Sequence, residues 1–351
     1  MRLQRYLAYA LLGLLMLGCQ PAAAPAATAP TAAAPNAASA PAPTAPPALV
    51  KLNHAYVGPT ESMAIPWIAK EAGFFAGEGL DVDVQLVTGS PRMVKALVAG
   101  DYQFAQVGAV AVMQAELEGV PVAIVAGAGD YDLFKIMANP QSGIRTVADL
   151  RGRTVAVSQI GSTSHTFLKL VLSREGLSLD DVQVLQAGGN PQAGQAMLSG
   201  AIDAATVDNQ LAPTATRAGA VTIADGAVLK IPSLRGGLAA MRPWIERNRD
   251  VALRYMRAYV EAIHFYRTER DETIRIFQKY MADVSPEEAA YFWEGGYDGH
   301  KPLPVPSDEA IQGLIDREFA EQASHLKPSD FTDLSLLRDI ERSGLVSQLY
   351  Q

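Results

Sequence analysis

Cysteine is nearly absent from this sequence of 351 residues, which has a single thiol at Cys19. One cysteine cannot form a disulfide bond within the chain. The apolar run from Leu7 to Leu17 is shorter than the ~20 residues that a membrane-spanning helix requires. Lysine and arginine do not cluster among aromatic residues, and this argues against a nucleic acid as partner.

Signatures of catalysis and of metal binding are missing as well. Ser164 and His165 are neighbours, but adjacent residues of a helix diverge by about 100°, so they cannot act as nucleophile and base. The sequence also has no G-x-S-x-G motif. We therefore expect no enzyme, no catalytic residue, no cofactor and no metal. The histidines show no metal-ligand spacing, and they are His54, His165, His264, His300 and His325.

The first 18 residues have the features of a secretion signal. Arg2 and Arg5 precede the apolar run, and Gly18 then stands directly before Cys19. This ending resembles a bacterial lipobox, although Met16 occupies a position that usually holds leucine. The resemblance implies cleavage before Cys19 and lipidation of its thiol, which would anchor the protein to a membrane through lipid alone.

Residues 19–48 form a segment of a different composition, rich in alanine, proline and threonine. Because it lacks charge and large apolar side chains, it cannot form a core, and its prolines favour an extended tether. Removal of Arg2 and Arg5 from the 29 basic residues leaves 27 against 37 acidic ones, a net charge of about −10. An acidic surface mainly favours solubility.

An internal repeat with a spacing of one hundred residues organises the remaining chain. Residues 84–105 align without a gap on residues 184–205. The identical pairs are Gly89 and Gly189, Pro91 and Pro191, Ala96 and Ala196, Gly100 and Gly200, and Ala105 and Ala205. The spacing is too long for a stacked array, so it indicates two related β-α-β halves.

Short turns rich in glycine and serine follow the predicted strands in both halves. The clearest, residues 160–164, follows the strand 154–157 and opens a helix. Unpaired backbone N–H groups and hydroxyls at such a turn can bind an anion, although the turn can equally be an ordinary connection. Because alternating strands and helices favour a parallel sheet, the turns at its carboxyl edge should lie together.

The pattern of strands and helices breaks near Asp130 and again at residues 233–237. These breaks predict that the chain crosses to a second lobe and returns, which suits hinge closure around a ligand. We therefore predict a first lobe at residues 49–129 and 238–351 and a second at 130–237. After Pro243 we expect only helices, namely a long one to about Met281 and others opened by Ser285, Ser307 and Thr332.

Four segments resemble the nitrate/sulfonate/taurine-type substrate-binding proteins of ABC transporters, which are also similar to thiamine-pyrimidine binding proteins. They are AIPWIAKEAGFFAGEGL at 64–80, ALVAGDYQFA at 96–105, DLRGRTVAV at 149–157 followed by GSTS, and GAIDAA at 200–205. The resemblance implies an α/β fold of two lobes with two crossovers and with C-terminal helices packed on the first lobe. It also implies a monomer outside the cytoplasm that delivers a small ligand to a permease with a cytoplasmic ATPase.

The resemblance also assigns ligand contacts by position. In the first lobe they are Gly58, Thr60, Glu61, Ser62, Gly89, Ser90 and Gly108, with Tyr131 near the hinge. In the second lobe they are Gly161, Ser162, Thr163, Ser164, Gly189, Asn190, Asp208 and Asn209.

The sequence does not determine the charge of the ligand, because Glu61 and Asp208 can have either of two roles. If Glu61 and Asp208 cap helices, then sulfonate, nitrate or a taurine-like anion fits a site of backbone N–H and hydroxyl groups without lysine or arginine. If they face the ligand, a cationic or amide-bearing group is expected, as in a zwitterion or a thiamine-pyrimidine-like heterocycle. Trp293 and Tyr297 could pack the C-terminal helices or reach the cleft. A sensor ectodomain and an enzyme on the same fold are weaker alternatives.

Overall fold

A computed structural model describes residues 48–282 and 284–351. The predicted signal peptide, the tether and Cys19 lie outside the described residues. Ten strands are present: β1 Val50–Tyr56, β2 Leu80–Leu86, β3 Phe104–Val107, β4 Val122–Gly127, β5 Lys135–Ala138, β6 Thr154–Val157, β7 Gln183–Gln186, β8 Ala204–Val207, β9 Val221–Asp225 and β10 Gly237–Met241.

The first ten α-helices belong mainly to the two repeated halves. They are α1 Ile65–Glu71, α2 Phe74–Gly77, α3 Ser90–Ala99, α4 Ala109–Leu117, α5 Thr163–Arg174, α6 Asn190–Leu198, α7 Ala212–Arg217, α8 Gly226–Leu229, α9 Arg242–Arg247 and α10 Arg249–Thr268. The others are α11 Arg270–Tyr280, α12 Pro286–Tyr297, α13 Asp308–Glu318, α14 Ser335–Arg342 and α15 Leu345–Leu349.

Two five-stranded sheets form the centres of two lobes. The strand order is β2-β1-β3-β10-β4 in the first sheet and β7-β6-β8-β5-β9 in the second. Both sheets are mixed, because β10 runs antiparallel to β3 and β4, and β5 runs antiparallel to β8 and β9. The expectation of a purely parallel sheet was wrong, since each crossover delivers its strand into the other sheet from the opposite direction.

The repeat is visible in the elements themselves. Strand β8 and helix α6 begin one hundred residues after β3 and α3. Apolar side chains of β1 and β3 face two cores, on opposite sides of the first sheet, and those of β6 and β8 do the same in the second. Alternation of side chains along a strand explains this division. The predicted α/β fold of two lobes is therefore confirmed.

The two crossovers run side by side. The chain leaves the first sheet after Gly127 and returns to it at Gly237, and Tyr131 pairs with Pro232 in an isolated antiparallel bridge. The Ser233 amide donates to the Asp130 carbonyl at 2.9 Å. We propose that these segments are the lobe boundaries, at residues 129–130 and 237–238.

The C-terminal helices pack on the first lobe, as expected. Tyr255, Tyr259 and Ile263 of α10 are buried in the same core as Leu52 and Trp67. The long helix predicted up to Met281 is in fact three helices.

The predicted helix boundaries were wrong in two respects. The long helix is interrupted twice, and the last predicted helix begins later in the chain. Asn248 and Glu269 take nonhelical backbone angles and separate α9, α10 and α11. Neither is a glycine or a proline, so no sequence signal marked the breaks. The last predicted helix begins at Ser335 rather than at Thr332, because the Asp333 carboxylate accepts the Ser335 amide at 3.0 Å.

Candidate functional site

A cavity of about 230 Å³ lies between the lobes. It opens where strands β1, β3 and β8 end, as expected for the carboxyl edges of α/β sheets. The lining residues are Val57, Thr60, Glu61, Ser62, Met63, Ser90, Gly108, Leu133, Phe134, Thr163, Asn190, Asp208, Asn209, Gln210 and Arg235.

Four helices begin at this cavity. Ser90, Thr163 and Asn190 are the first residues of α3, α5 and α6, and Gly108 is the residue that caps α4. The first turn of a helix has backbone N–H groups without helical partners, and the helix dipole adds partial positive charge there. Two helix starts from each lobe therefore favour an oxyanion in the space between them.

The cavity brings together nine of the sixteen residues that the resemblance assigned to the ligand. These nine are Thr60, Glu61, Ser62, Ser90, Gly108, Thr163, Asn190, Asp208 and Asn209. The other seven do not line it, and they are Gly58, Gly89, Tyr131, Gly161, Ser162, Ser164 and Gly189.

Glu61 is neither a helix cap nor a free carboxylate. Its Oε1 accepts a hydrogen bond from Nη1 of Arg235 at 2.8 Å, and the Glu61 side chain is buried while that of Arg235 is 13% exposed. The Glu61 side chain makes no capping hydrogen bond at the short 3₁₀ helix 61–63. The Glu61 carbonyl accepts a hydrogen bond from Nε2 of His300 at 3.0 Å. Neutralisation by Arg235 removes the repulsion that Glu61 would exert on an anion.

Asp208 caps the turn that precedes α7, and α7 itself has no side-chain cap. Oδ1 of Asp208 accepts the Leu211 amide at 3.0 Å, directly before α7, and its Oδ2 accepts Nδ2 of Asn190 at 3.1 Å. Burial raises the pKa of the Asp208 carboxyl, while these hydrogen bonds oppose the rise. Unlike Glu61, Asp208 forms no salt bridge among the described residues.

The hydroxyls of Ser162 and Ser164 are directed at each other instead of at the cavity. They form a triangle with Oγ of Ser158, with distances of 2.8 to 2.9 Å. Oγ of Ser164 also accepts the Ser158 amide at 2.9 Å. These serines therefore stabilise the turn, and only Thr163 between them reaches the cavity. A second feature of the turn, His165, accepts the Gly161 amide through Nδ1 at 3.2 Å.

Several contacts join the lobes around the cavity. Nε2 of Gln210 donates to the Pro59 carbonyl. Farther out, Arg217 of α7 forms an ion pair with Glu288 of α12 at 2.5 Å, and Thr214 donates to the same carboxylate at 3.1 Å. These contacts hold the lobes together over the cavity.

A buried acid lies in the hinge behind the cavity. The Asp132 amide donates to the Ile231 carbonyl at 3.2 Å, and its carboxylate accepts the Phe134 amide at 3.1 Å. Burial raises the pKa of the Asp132 carboxyl to about 6, although the charges of Arg235 and Arg317 act against the rise.

Six lining residues were missed by the sequence reasoning. Arg235 is the most consequential, because a cation contradicts the expectation of a site without lysine or arginine. The available signal was its position between an apolar residue and two glycines, at the point where the chain returns to the first lobe. The other five are Val57, Met63, Leu133, Phe134 and Gln210.

Trp293 and Tyr297 pack the C-terminal helices and do not line the cavity. Nε1 of Trp293 donates to the Tyr266 carbonyl at 2.7 Å, and the guanidinium of Arg267 lies 4.1 Å from the centroid of the Tyr297 ring. The adjacent Gly295 lies close to the second lobe instead, since a Cβ there would lie 2.8 Å from Nδ2 of Asn209.

Residues 48–282 and 284–351 contain neither a cluster of metal-binding side chains nor a membrane-spanning helix. No group of three histidine, cysteine or acidic side chains is placed to hold a metal ion. No helix in these ranges has both the length and the apolar character needed to span a membrane.

The chain is similar in sequence to bacterial proteins that are described as binding proteins. A candidate binding protein of Brucella abortus is 31% identical over 131 residues, which cover 37% of this chain and 40% of that protein. A candidate aliphatic sulfonates-binding protein of Escherichia coli is 28% identical over 66% of this chain and 70% of its own length. The formylaminopyrimidine-binding protein of Halalkalibacterium halodurans is 23% identical over 80% and 70%.

A solved structure agrees at the level of the fold. The periplasmic aliphatic sulphonate binding protein of Escherichia coli superposes with a TM-score of 0.66 at 22% identity, over 82% of this chain and 96% of that one. A sequence profile of the family described as NMT1/THI5 like matches residues 61–273, which is more than half of the chain. The chain therefore belongs to the NMT1/THI5-like family and has the fold of periplasmic binding proteins.

Proposed function

We propose that this protein is the extracytoplasmic ligand-binding subunit of an ABC importer. It binds a small organic or oxyanionic solute and delivers it to a permease that is driven by a cytoplasmic ATPase. The observation that carries the proposal is the cavity between the lobes, into which four helix starts point. Hinge closure of two lobes around a solute is a common use of this architecture.

Sulfonate, nitrate and taurine-like solutes agree with the electrostatics of the cavity. Helix N-termini and the Ser90 hydroxyl offer donors to an oxyanion, and the hydroxyls of Thr60 and Ser62, which bond each other at 3.0 Å, offer one more. Arg235 adds a cation, and its Nε is buried without a hydrogen-bond partner among the described residues. The Escherichia coli relative named for aliphatic sulfonates supports the same ligand class.

A thiamine-pyrimidine-like heterocycle is the second candidate. The observation that favours it is the carboxylate of Asp208, which lines the cavity and forms no salt bridge in the described part of the chain. An aminopyrimidine can donate N–H groups to such an acceptor. The relative named for formylaminopyrimidine binding supports this alternative.

Catalysis is not part of the proposal. The cavity is lined by no histidine, cysteine or lysine. Ser162 and Ser164 satisfy each other, and His165 accepts a backbone amide, so none of these groups forms a nucleophile and base pair. The relatives compared above are described as binding proteins.

Attachment to a membrane through lipid on Cys19 is a further part of the proposal, and the protein is proposed to act as a monomer. Its support is the signal sequence that ends at Gly18, followed by the uncharged tether. Cys19→Ser should shift the protein from the membrane fraction to the soluble fraction. Continued membrane association of that variant would refute the anchor.

A thermal-shift screen tests the binding function. The compounds are alkyl sulfonates, carboxylates, nitrate, aminosulfonates and pyrimidines, because a solute that binds only the folded state raises the melting temperature. Thr163→Trp should fill the cavity and abolish the shift. Ser173→Trp is the matched control, since Ser173 lies exposed on the same helix α5 and should retain the shift. No shift with any compound, or an equal shift in Thr163→Trp, would refute the function.

A further inference from the structure

Two hydrogen-bond acceptors on the second lobe, Asp208 and Asn190, border the cavity beside one donor, Nδ2 of Asn209, that has no partner among the described residues. Asp208 and Asn190 both line the cavity, and Nδ2 of Asn190 donates to Oδ2 of Asp208 at 3.1 Å. A carboxylate can only accept hydrogen bonds, so this contact fixes the orientation of the Asn190 amide. Its Oδ1 is then an acceptor, and it is buried without a partner among the described residues.

The charges on the two sides of the cavity also differ. On the first lobe's side, Arg235 neutralises Glu61. On the second lobe's side, Asp208 has hydrogen bonds from a backbone amide and a side-chain amide, but no cation. A buried acceptor without a partner costs free energy, and an uncompensated carboxylate costs more. Both costs are removed when a ligand supplies N–H donors.

The first half of the repeat has no counterpart to this pair of acceptors. The repeat places Gly108 and Ser90 in the first half where Asp208 and Asn190 stand in the second. Helices α3 and α4 start correctly with Ser90 and Gly108, which carry neither a carboxylate nor an amide. The turn before α7 accounts for Oδ1 of Asp208, but it leaves Oδ1 of Asn190 without a partner among the described residues, and this acceptor points to the ligand.

We propose that Asp208 and Asn190 bind an amino group of the ligand, while its other end faces the helix starts and Arg235. This inference rests on the proposed binding function and narrows the ligand to solutes that carry an ammonium or an amino group on a heterocycle. An ammonium group has three donors, enough to reach one oxygen of Asp208 and Oδ1 of Asn190 together. A hydroxyl in the same place has only one.

The test uses matched pairs of compounds in which one member has an amino group where the other has a hydroxyl. The pairs are 2-aminoethanesulfonate with 2-hydroxyethanesulfonate, 3-aminopropanoate with 3-hydroxypropanoate, and 4-(aminomethyl)pyrimidine with 4-(hydroxymethyl)pyrimidine. Dissociation constants are measured by calorimetry on the full chain and on Asp208→Asn, which keeps an acceptor for the Leu211 amide. Asp101→Asn, at an exposed site on the first lobe, is the control for loss of one charge.

We expect at least one amino compound to bind tenfold or more tightly than its hydroxyl partner. Asp208→Asn should reduce this ratio to threefold or less, and Asp101→Asn should retain it. Asn190→Ser introduces the serine that stands at the equivalent position of the first half, Ser90. It should also lower the ratio of the two dissociation constants, and it replaces Asp208→Asn as the test if that variant fails to fold.

Three other outcomes would each overturn a part of this proposal. Equal or tighter binding of the hydroxyl compounds would overturn the amino-group site and leave the binding function intact. An unchanged ratio in both variants would overturn the assignment of Asp208 and Asn190. If no compound of either series binds while the thermal-shift screen finds another ligand, the amino-group site is wrong and the binding function stands.

Discussion

Arg235 and Glu61 are 174 residues apart in the chain, yet they form a buried ion pair of 2.8 Å beside the cavity. The arginine arrives on the crossover that returns to the first lobe, and the glutamate follows strand β1. Loss of one partner would leave the other charge buried and unpaired. The ion pair therefore affects both the stability of the first lobe and the net charge of the cavity.

Arg235→Met should destabilise the protein by about 3–5 kcal/mol, because Glu61 would remain as an isolated buried carboxylate. Glu61→Gln combined with Arg235→Met should recover much of this loss. Chemical denaturation provides the measurement. Arg275→Met is the control, since Arg275 pairs with Glu272 on the surface and such pairs contribute about 0.5 kcal/mol. Equal effects of the two single substitutions would contradict a buried pair.

Ser164→Ala should reduce stability and leave ligand affinity unchanged within twofold. Oγ of Ser164 accepts the Ser158 amide and bonds two other hydroxyls, so its loss should cost about 1–3 kcal/mol. Melting temperature and calorimetric affinity are measured on the same samples. Ser173→Ala, exposed on the same helix, should change neither. A tenfold loss of affinity at an unchanged melting temperature would show instead that Ser164 contacts the ligand.

Arg217→Ala should weaken ligand binding two- to fivefold, mainly through faster dissociation. Arg217 and Glu288 join the lobes away from the cavity, so their contact favours the closed arrangement without contacting the ligand. Stopped-flow kinetics separates the two rate constants. The control is Arg151→Ala, because Arg151 pairs with Asp181 inside the second lobe. A slower association rate with unchanged dissociation would contradict this role.

His300 should make the protein less stable in mild acid. Burial lowers the pKa of His300 from 6.5 to about 4, and the charges of Arg235 and Arg267 add to the effect. As the pH falls from 6.5 to 4, the unfolded chain takes up a proton that the folded protein excludes. Stability contributed by the neutral side chain is therefore present above 6.5 and is lost in this window.

His300→Gln isolates this contribution, because glutamine can still donate to the Glu61 carbonyl. Between pH 7.5 and pH 5, the wild type should lose roughly 2 kcal/mol more stability than the variant. Asp132 acts in the opposite direction, since its pKa is raised from 3.8 to about 6, but it is present in both proteins and cancels in the difference. Parallel pH profiles for wild type and variant would rule out His300 as the cause.

The repeat explains why so much of the site could be predicted from the sequence. Gly89 and Gly189 mark equivalent turns, and equivalent turns of related sheets end at the same edge. The family resemblance assigned Ser90, Gly108, Asn190 and Asp208 to one site by position, and all four line the cavity. The fold class followed from the same alternation of strands and helices.

Contacts between distant residues and the directions of side chains could not be predicted from the sequence. Arg235 meets Glu61 only because two crossovers run side by side, and no spacing encodes that contact. The triangle of Ser158, Ser162 and Ser164 depends on rotamers, so a turn rich in hydroxyls looked like an anion site although only Thr163 reaches the cavity. The mixed sheets have the same origin, since the directions of β5 and β10 follow from the crossovers.

Hydrogen–deuterium exchange with the compound that gives the largest thermal shift tests most directly whether the solute binds between the lobes. We expect slower exchange in the first turns of α3, α4, α5 and α6, whose unpaired amides border the cavity, and no change in α11. Protection confined to one lobe, or protection elsewhere with these four helix starts unchanged, would contradict binding between the lobes.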